Sequence, residues 1–218
     1  LPLLPHLPGD EARCEASTLG QDIHARTAAE VYGVPIEEVT PQMRSSAKAV
    51  NFGIVYGISA FGLASNLHIS PKEAADFIAR YFARYPAVHQ FMDACVSQGK
   101  AEGYSVTMYG RRRPLPELSS PNYNRRQFGE RAAMNTPVQG AAADIIKIAM
   151  NAVHDELAKE GLSARLILQV HDELIVETPI EEQEKVTALL RRCMEGAASL
   201  RVPLIADVQA GHSWYDTK

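Results

Sequence analysis

Cysteine is scarce in this 218-residue chain: Cys14, Cys95 and Cys193 are odd in number and never spaced Cys-x-x-Cys. That leaves no basis for a disulfide framework or a zinc site built on paired cysteines, and the three are read as buried or idle thiols. Long apolar runs are missing too. None reaches the roughly 18 residues that cross a bilayer, and the start has no basic segment followed by an apolar one, so no membrane partner is expected and the chain is read as cytoplasmic. Charge of one sign is not in excess: a net charge of -4 does not advertise a polyanion partner. There is no low-complexity tract. The first residue is leucine rather than methionine, so a fragment of a longer protein is expected. What is present is ordinary for a globular protein, with 46% hydrophobic and 22% charged residues allowing a substantial core.

The most informative stretch runs from Thr40 to Gly62, TPQMRSSAKAVNFGIVYGISAFG. Thr40 before Pro41 reads as an N-cap and first helical position, where the missing proline N–H would be unpaired anyway. Arg44, Lys48, Phe52 and Tyr56 then recur every four residues and form one slowly drifting stripe. Two cations lie near the helix N-terminus, where free N–H groups already favour anions, and two aromatic rings follow about 6 to 12 Å further along. A nucleoside triphosphate has the same polarity, phosphates at one end and a stackable base at the other. An amphipathic core helix with snorkelling cations is the plainer alternative. Gly53 and Gly57 argue against it, since glycine costs about 1 kcal/mol inside a helix and is expected where something approaches the backbone closely.

Arg44-x-x-x-Lys48-x-x-Asn51-Phe52-Gly53-x-x-Tyr56-Gly57 resembles the fingers-helix motif of family A DNA polymerases, the bacterial DNA polymerase I group. The resemblance implies that Arg44 and Lys48 hold the incoming triphosphate, Phe52 packs on its sugar, and Tyr56 lies beside the templating base. Phenylalanine at 52, where some relatives have tyrosine, implies discrimination against dideoxynucleotides. Gln21 to Ala29 resembles the family's Asp-Ile-His-x-x-Thr-Ala element, which makes His24 a candidate phosphate contact. On residues alone, a lone histidine on a helix is more often structural.

Elsewhere, Pro2, Pro5 and Pro8 exclude a regular helix at the start, although the resemblance implies one after a catalytic Asp-Tyr-Ser-x-Ile-Glu motif that is absent here. Helices are expected over Ser59 to Leu67, from Ser70-Pro71 to about Arg84, and from Pro86 to Gly99 or Gly103. Tyr104 to Met108 and Arg111-Arg112-Arg113-Pro114 read as a small hairpin or a strand with a basic loop. Lys100 to Arg131 holds seven basic residues against three acidic ones, a candidate phosphate-backbone footprint. Tyr123 to Gly161 is helical in pattern, with a kink or junction expected at Pro137. Arg131, Asn135 and Gln139 stand four apart and all can donate to phosphate, sugar or a minor-groove acceptor. Arg131 to Gly140 also resembles the family element that grips the primer-template minor groove. Pro179 to about Ser199 reads as an amphipathic helix, Val202 to Val208 as a strand able to pair with the preceding hairpin, and Trp214 as packing.

Val-His-Asp-Glu-Leu occurs twice. The copy at Val153 to Leu157 sits in a helix tail, with Val153 and Leu157 on the apolar face and the three polar residues toward solvent; it is assigned no function. The copy at Val170 to Leu174 lies between two β-branched apolar runs, so His171-Asp172-Glu173 is read as a hairpin tip with adjacent carboxylates suited to a divalent cation. An exposed turn is the bland reading. Gln169-Val170-His171-Asp172-Glu173 also matches the second catalytic motif of family A polymerases. This implies Asp172 as a Mg2+ ligand, Glu173 as support for the metal, and His171 near the primer terminus.

The resemblance covers the chain from about Gly9 onward. It implies an α/β (α+β) fold: a divergent or truncated palm segment at 1–20, a helical fingers domain at 21–120, and palm with a small antiparallel sheet at 121–218. It also implies DNA synthesis in replication or repair. A monomer would use primer-template DNA, a dNTP and two Mg2+ ions, with Asp172, Glu173 and Lys48 in catalysis. Because the motif supplying a second aspartate is absent before Leu1, the fragment alone is expected to be inactive or nearly so. Two rival readings are a nucleotide- or DNA-binding remnant without chemistry, and a metal-dependent phosphohydrolase, which would have no use for a stripe ending in Tyr56.

Overall fold

The computed structural model describes residues 22–217, so the proline-rich start, the segment 1–20, Gln21 and Cys14 lie outside the described residues. The chain divides into two compact units, with the boundary between Gly140 and Ala141. Each is built locally from strong start signals.

In the first unit, helix α1 (Ile23–Tyr32) begins at Asp22, whose side chain accepts from the N–H groups of His24 and Ala25. A 3-10 turn, Ile36–Glu38, leads to α2 (Pro41–Val55), capped by the Thr40 hydroxyl accepting from Met43 N. Helix α3 (Ala60–Leu67) is capped by Ser59. Helix α4 (Pro71–Arg84) starts with a reciprocal capping box between Ser70 and Glu73, and α5 (Pro86–Glu102) ends on Gly103 at φ 76°. Helix α5 runs into strand β1 (Tyr104–Val106), which pairs antiparallel with β2 (Arg112–Pro114). Buried Ala28, Val31, Val50, Ile54, Leu63, Phe77, Tyr81 and Val88 form the core under the helices. Glu30 fastens α1 to the α4–α5 corner by accepting from Arg84 and Tyr85 as well as Arg26. Burial pushes its carboxyl up, but these donors outweigh that effect and hold it below the usual range.

Helix α6 (Tyr123–Lys159) runs unbroken through Pro137, where the sequence leads one to expect a kink or junction. The compensation is visible. Proline lacks the N–H that would bond the carbonyl of residue 133, and Ser105 Oγ from β1 donates to that oxygen at 3.3 Å. Both residues are buried, so the oxygen would otherwise be orphaned. Thr136 Oγ1 donates to the carbonyl of Ala132 at 2.6 Å.

The second unit combines the end of α6 with a hairpin, β3 (Arg165–Val170) and β4 (Glu173–Glu177), and helix α7 (Gln183–Glu195). Val153 and Leu157 of α6 pack with Val186, Leu189, Leu190 and Cys193 of α7, and Leu166, Leu174 and Val176 of the hairpin close over them. The pairing slips by one residue at Ile167, between Leu166 and Leu168. This bulge leaves both Ile167 and Leu168 exposed.

Three expectations are corrected. The helix read from Pro179 to Ser199 is a 3-10 turn, Ile180–Glu182, followed by α7 ending at Glu195. Glu182 leaves the helix because its carboxylate is engaged with Ser163 N and Ala164 N. The strand read at 202–208 does not form: Ala206 N donates to the Glu195 side chain instead of a ladder carbonyl, while Pro203 has no N–H to donate. Trp214 lies in a 3-10 turn and is 40% exposed, so it is less a packing residue than expected.

Candidate functional site: a cationic ledge, a basic concavity and a carboxylate hairpin

Helices α1 and α2 pack side by side, and this packing gathers four of the predicted nucleotide contacts. His24 on α1 faces Phe52 on α2 with ring centroids 5.8 Å apart. Asn51, 1% exposed, bridges the two helices, its Nδ2 standing 3.2 Å from His24 Nδ1 and 3.1 Å from Thr27 Oγ1. Arg44 and Lys48, both exposed, lie two turns and one turn N-terminal of Phe52 respectively, and both act on His24 electrostatically. Burial lowers the His24 pKa below its ordinary value; Asp22 opposes this, and the positive fields of Arg44 and Lys48 add to it.

Asp22 has no assigned role in the sequence reading, yet it organises this ledge. One carboxylate oxygen caps α1 while the other accepts from Arg44 Nε at 2.5 Å. Burial pushes the Asp22 carboxyl up, but the Arg44 bond and the two cap N–H groups hold it below the usual range. One edge of the Arg44 guanidinium is thus already committed. The other predicted phosphate cation, Lys48, makes no ion pair among the described residues.

The stripe is shorter than expected. Helix α2 ends at Val55, Tyr56 is its C-cap, and Gly57 turns the chain at φ 64°. Only Gly53 is inside the helix, where a Cβ would stand 2.7 Å from the Ile58 side chain. At Gly57 a Cβ would meet Met134 Cε at 2.6 Å and Arg131 Cγ at 2.8 Å, so the turn seats directly on α6. Tyr56 is half exposed and its hydroxyl accepts from Gln139 Nε2 at 2.8 Å. The structure therefore joins the end of the predicted stripe to the row Arg131, Asn135, Gln139.

Asn135 and Gln139 of that row line a concavity of about 230 Å³ together with Thr107, Arg111, Arg112, Arg113, Thr136 and Gly140. Gly140 lets α6 approach β1 and its turn: a Cβ there would lie 2.5 Å from Thr107 Cγ2. Three consecutive arginines beside two amides put several hydrogen-bond donors on one surface, the kind of groups that can contact phosphate oxygens. Charge counting finds the arginines; it does not find Thr107 or Thr136, which line the concavity only through the fold.

In the second unit, His171 and Asp172 form the two-residue turn of the β3–β4 hairpin, and Glu173 opens β4 opposite Val170. All three are exposed. His171 adopts φ 52°, and Gln169 Nε2 donates to its carbonyl at 2.7 Å. The carboxylate oxygens suit a hard cation such as Mg2+. Among the described residues, however, no three His, Cys, Asp or Glu side chains are grouped closely enough to hold a metal. The pair can supply part of a coordination shell. Among the described residues no helix is long and apolar enough to cross a membrane.

Comparison with known proteins defines the class. The model of DNA polymerase family A matches residues 1–216, and the chain belongs to that family. It is 54% identical over its full length to DNA polymerase I of Geobacillus stearothermophilus and 52% identical to DNA polymerase I of Bacillus subtilis strain 168. It spans about a quarter (25%) of the length of either relative. Among solved structures it is similar to the POL domain of Pol1 from M. smegmatis in complex with DNA primer-template and dNTP. The TM-score is 0.93 at 44% identity, covering 99% of this chain and 38% of that one.

Proposed function

We propose that this chain is the nucleotide- and template-handling part of a DNA polymerase that joins a dNTP to a primer 3′-OH under template direction. In that reaction the primer oxygen bonds to the α-phosphorus, the bond from that phosphorus to its bridging oxygen breaks, and pyrophosphate leaves. The observation that carries the proposal is the convergence of His24, Arg44, Lys48 and Phe52 on the α1–α2 ledge. In the assignment offered here, residues 21–120 act as fingers and 121–218 as palm.

Lys48 and the free edge of Arg44 neutralise the triphosphate, His24 donates to it, and Phe52 packs against the sugar. Tyr56 stands at the templating position, released from or shared with Gln139. Arg131, Asn135, Gln139 and the arginines at 111–113 hold the nucleic acid, with His171 at the primer end. Asp172, supported by Glu173, would hold magnesium together with a carboxylate from outside the described residues. When bound, that metal activates the attacking oxygen and stabilises the leaving one.

The test is titration of the 218-residue chain with a fluorescent dNTP, beside Lys48→Ala. Losing one charge-assisted contact of about 1.5–3 kcal/mol weakens binding roughly 10- to 150-fold. Equal affinity for both proteins would end the proposal. Primer extension by this chain is expected to be absent or slow, and turnover like that of an intact polymerase would show that it already holds the remaining carboxylate.

A further inference from the structure

Asn51 is nearly fully buried, 1% exposed, and the nucleotide reading gives it no task. Its hydrogen bonds determine more than packing. Thr27 Oγ1 has one proton, and it donates that proton to the carbonyl of Ile23 at 2.7 Å, since a carbonyl can only accept. Toward Asn51 the threonine oxygen is therefore an acceptor, so the group 3.1 Å away must be the amide NH2. This settles which way the amide points without appeal to the histidine. The same nitrogen lies 3.2 Å from His24 Nδ1, and a donor facing that atom requires a lone pair on it. A neutral imidazole with a bare Nδ1 carries its proton on Nε2.

We infer that Asn51 is a positioning residue that holds His24 in the neutral Nε2–H tautomer, so that His24 meets a polyphosphate as a hydrogen-bond donor and not as a cation. The polyphosphate half of this inference rests on the nucleotide reading above; the tautomer half does not. The surroundings agree. Protonating Nδ1 would set two N–H donors against each other, and the groups acting on the ring are Asp22 at the start of α1 and Arg44 and Lys48 on α2, with Phe52 against its face. The positive charge of the ledge then comes from Arg44 and Lys48, and His24 adds direction.

The experiment is two-bond proton–nitrogen NMR on the chain labelled with 15N-histidine, the His24 signals being assigned by their loss in His24→Gln. At pH 7 the expected pattern is a bare Nδ1 and a protonated Nε2, titrating with a midpoint below the ordinary 6.5. Asn51→Asp, which replaces the donor with an acceptor of the same shape, moves the midpoint above 6.5 and gives an imidazolium at neutral pH. A proton on Nδ1 at pH 7 in the unmodified chain, or an unchanged midpoint in a folded Asn51→Asp chain, overturns the inference. If Asn51→Asp does not fold, the unmodified chain decides alone. Adding dATP should shift the Nε2–H resonance. A correct tautomer that dATP leaves unmoved overturns only the donor role and, with it, His24's place in the nucleotide reading.

Discussion

The two copies of Val-His-Asp-Glu-Leu are a controlled comparison made by the chain itself. In the first, Val153 and Leu157 are buried in the second unit's core and the intervening residues ride on the outside of α6. In the second, the same five letters straddle a turn: Val170 ends β3, His171 and Asp172 reverse the chain, and Glu173 and Leu174 begin β4. Identical local preferences yield a helix where the flanks repeat every three to four residues, and a hairpin where they are β-branched apolar runs. Context also separates the carboxylates differently: Asp155 and Glu156 ride on one helix, whereas Asp172 sits in the turn and Glu173 opens β4.

The largest difference should appear on truncating the shared leucine. Leu157→Ala removes a side chain 4% exposed at the centre of the cluster, and its cost is about 2–5 kcal/mol. Leu174→Ala, at the partly buried margin of the same cluster, should cost less than half as much. Urea unfolding of the two variants measures both. Equal costs would mean that the two copies contribute alike to the core.

Next in size is the shared aspartate. Asp172→Ala should abolish the tightening of dNTP binding by Mg2+, a loss of about tenfold or ~1.4 kcal/mol, while Asp155→Ala leaves it intact. Both side chains are exposed, so each variant should stay within about 0.5 kcal/mol of parental stability. A titration in which Asp155→Ala behaves like Asp172→Ala would dissolve the distinction.

The shared histidine predicts a difference of sign. His171 holds φ 52° at the first turn position, a region glycine enters freely and other L-residues enter at a cost. His171→Gly is therefore expected to stabilise by about 0.5–1 kcal/mol, whereas His154→Gly inside α6 is expected to destabilise by a similar amount. Thermal melts of the pair, compared in direction, suffice to check this.

Start signals made most of the fold readable in advance. Thr40-Pro41, Ser59 and Ser70-Pro71 each name a helix start that the backbone adopts, because a cap is satisfied within three or four residues. The ledge was readable for the same reason: Arg44, Lys48 and Phe52 share one helix face. Features that depend on a distant partner were not. Pro137 looks like a break until Ser105, 32 positions earlier, is seen bonding the freed carbonyl. Asp22 carries no assignment in the sequence, and its tie to Arg44, 22 positions on, shows only in the fold. A strand read from Val202 to Val208 has the composition of a strand, but composition supplies no ladder partner, and Glu195 takes Ala206 N instead.

The smallest effect expected between the two copies lies at their shared glutamate. Glu156 accepts from Lys159 Nζ at 2.7 Å and Arg192 Nη2 at 3.2 Å, and chiefly the Lys159 bond holds its carboxyl below the ordinary 4.5, against opposing desolvation. Glu173, in contrast, makes no ion pair among the described residues. A carboxylate whose pKa is depressed by folding contributes stability that is present above its unfolded value and disappears as pH falls through the folded one. Unfolding midpoints of the parent and Glu156→Gln should thus differ slightly at pH 7 and converge as the pH drops below 4.5. The difference should also shrink in high salt, because the pair is exposed and screened. A gap that stays the same from pH 7 to below 4.5, or that salt leaves unchanged, would mean that the Lys159 and Arg192 contacts do not set the contribution of Glu156.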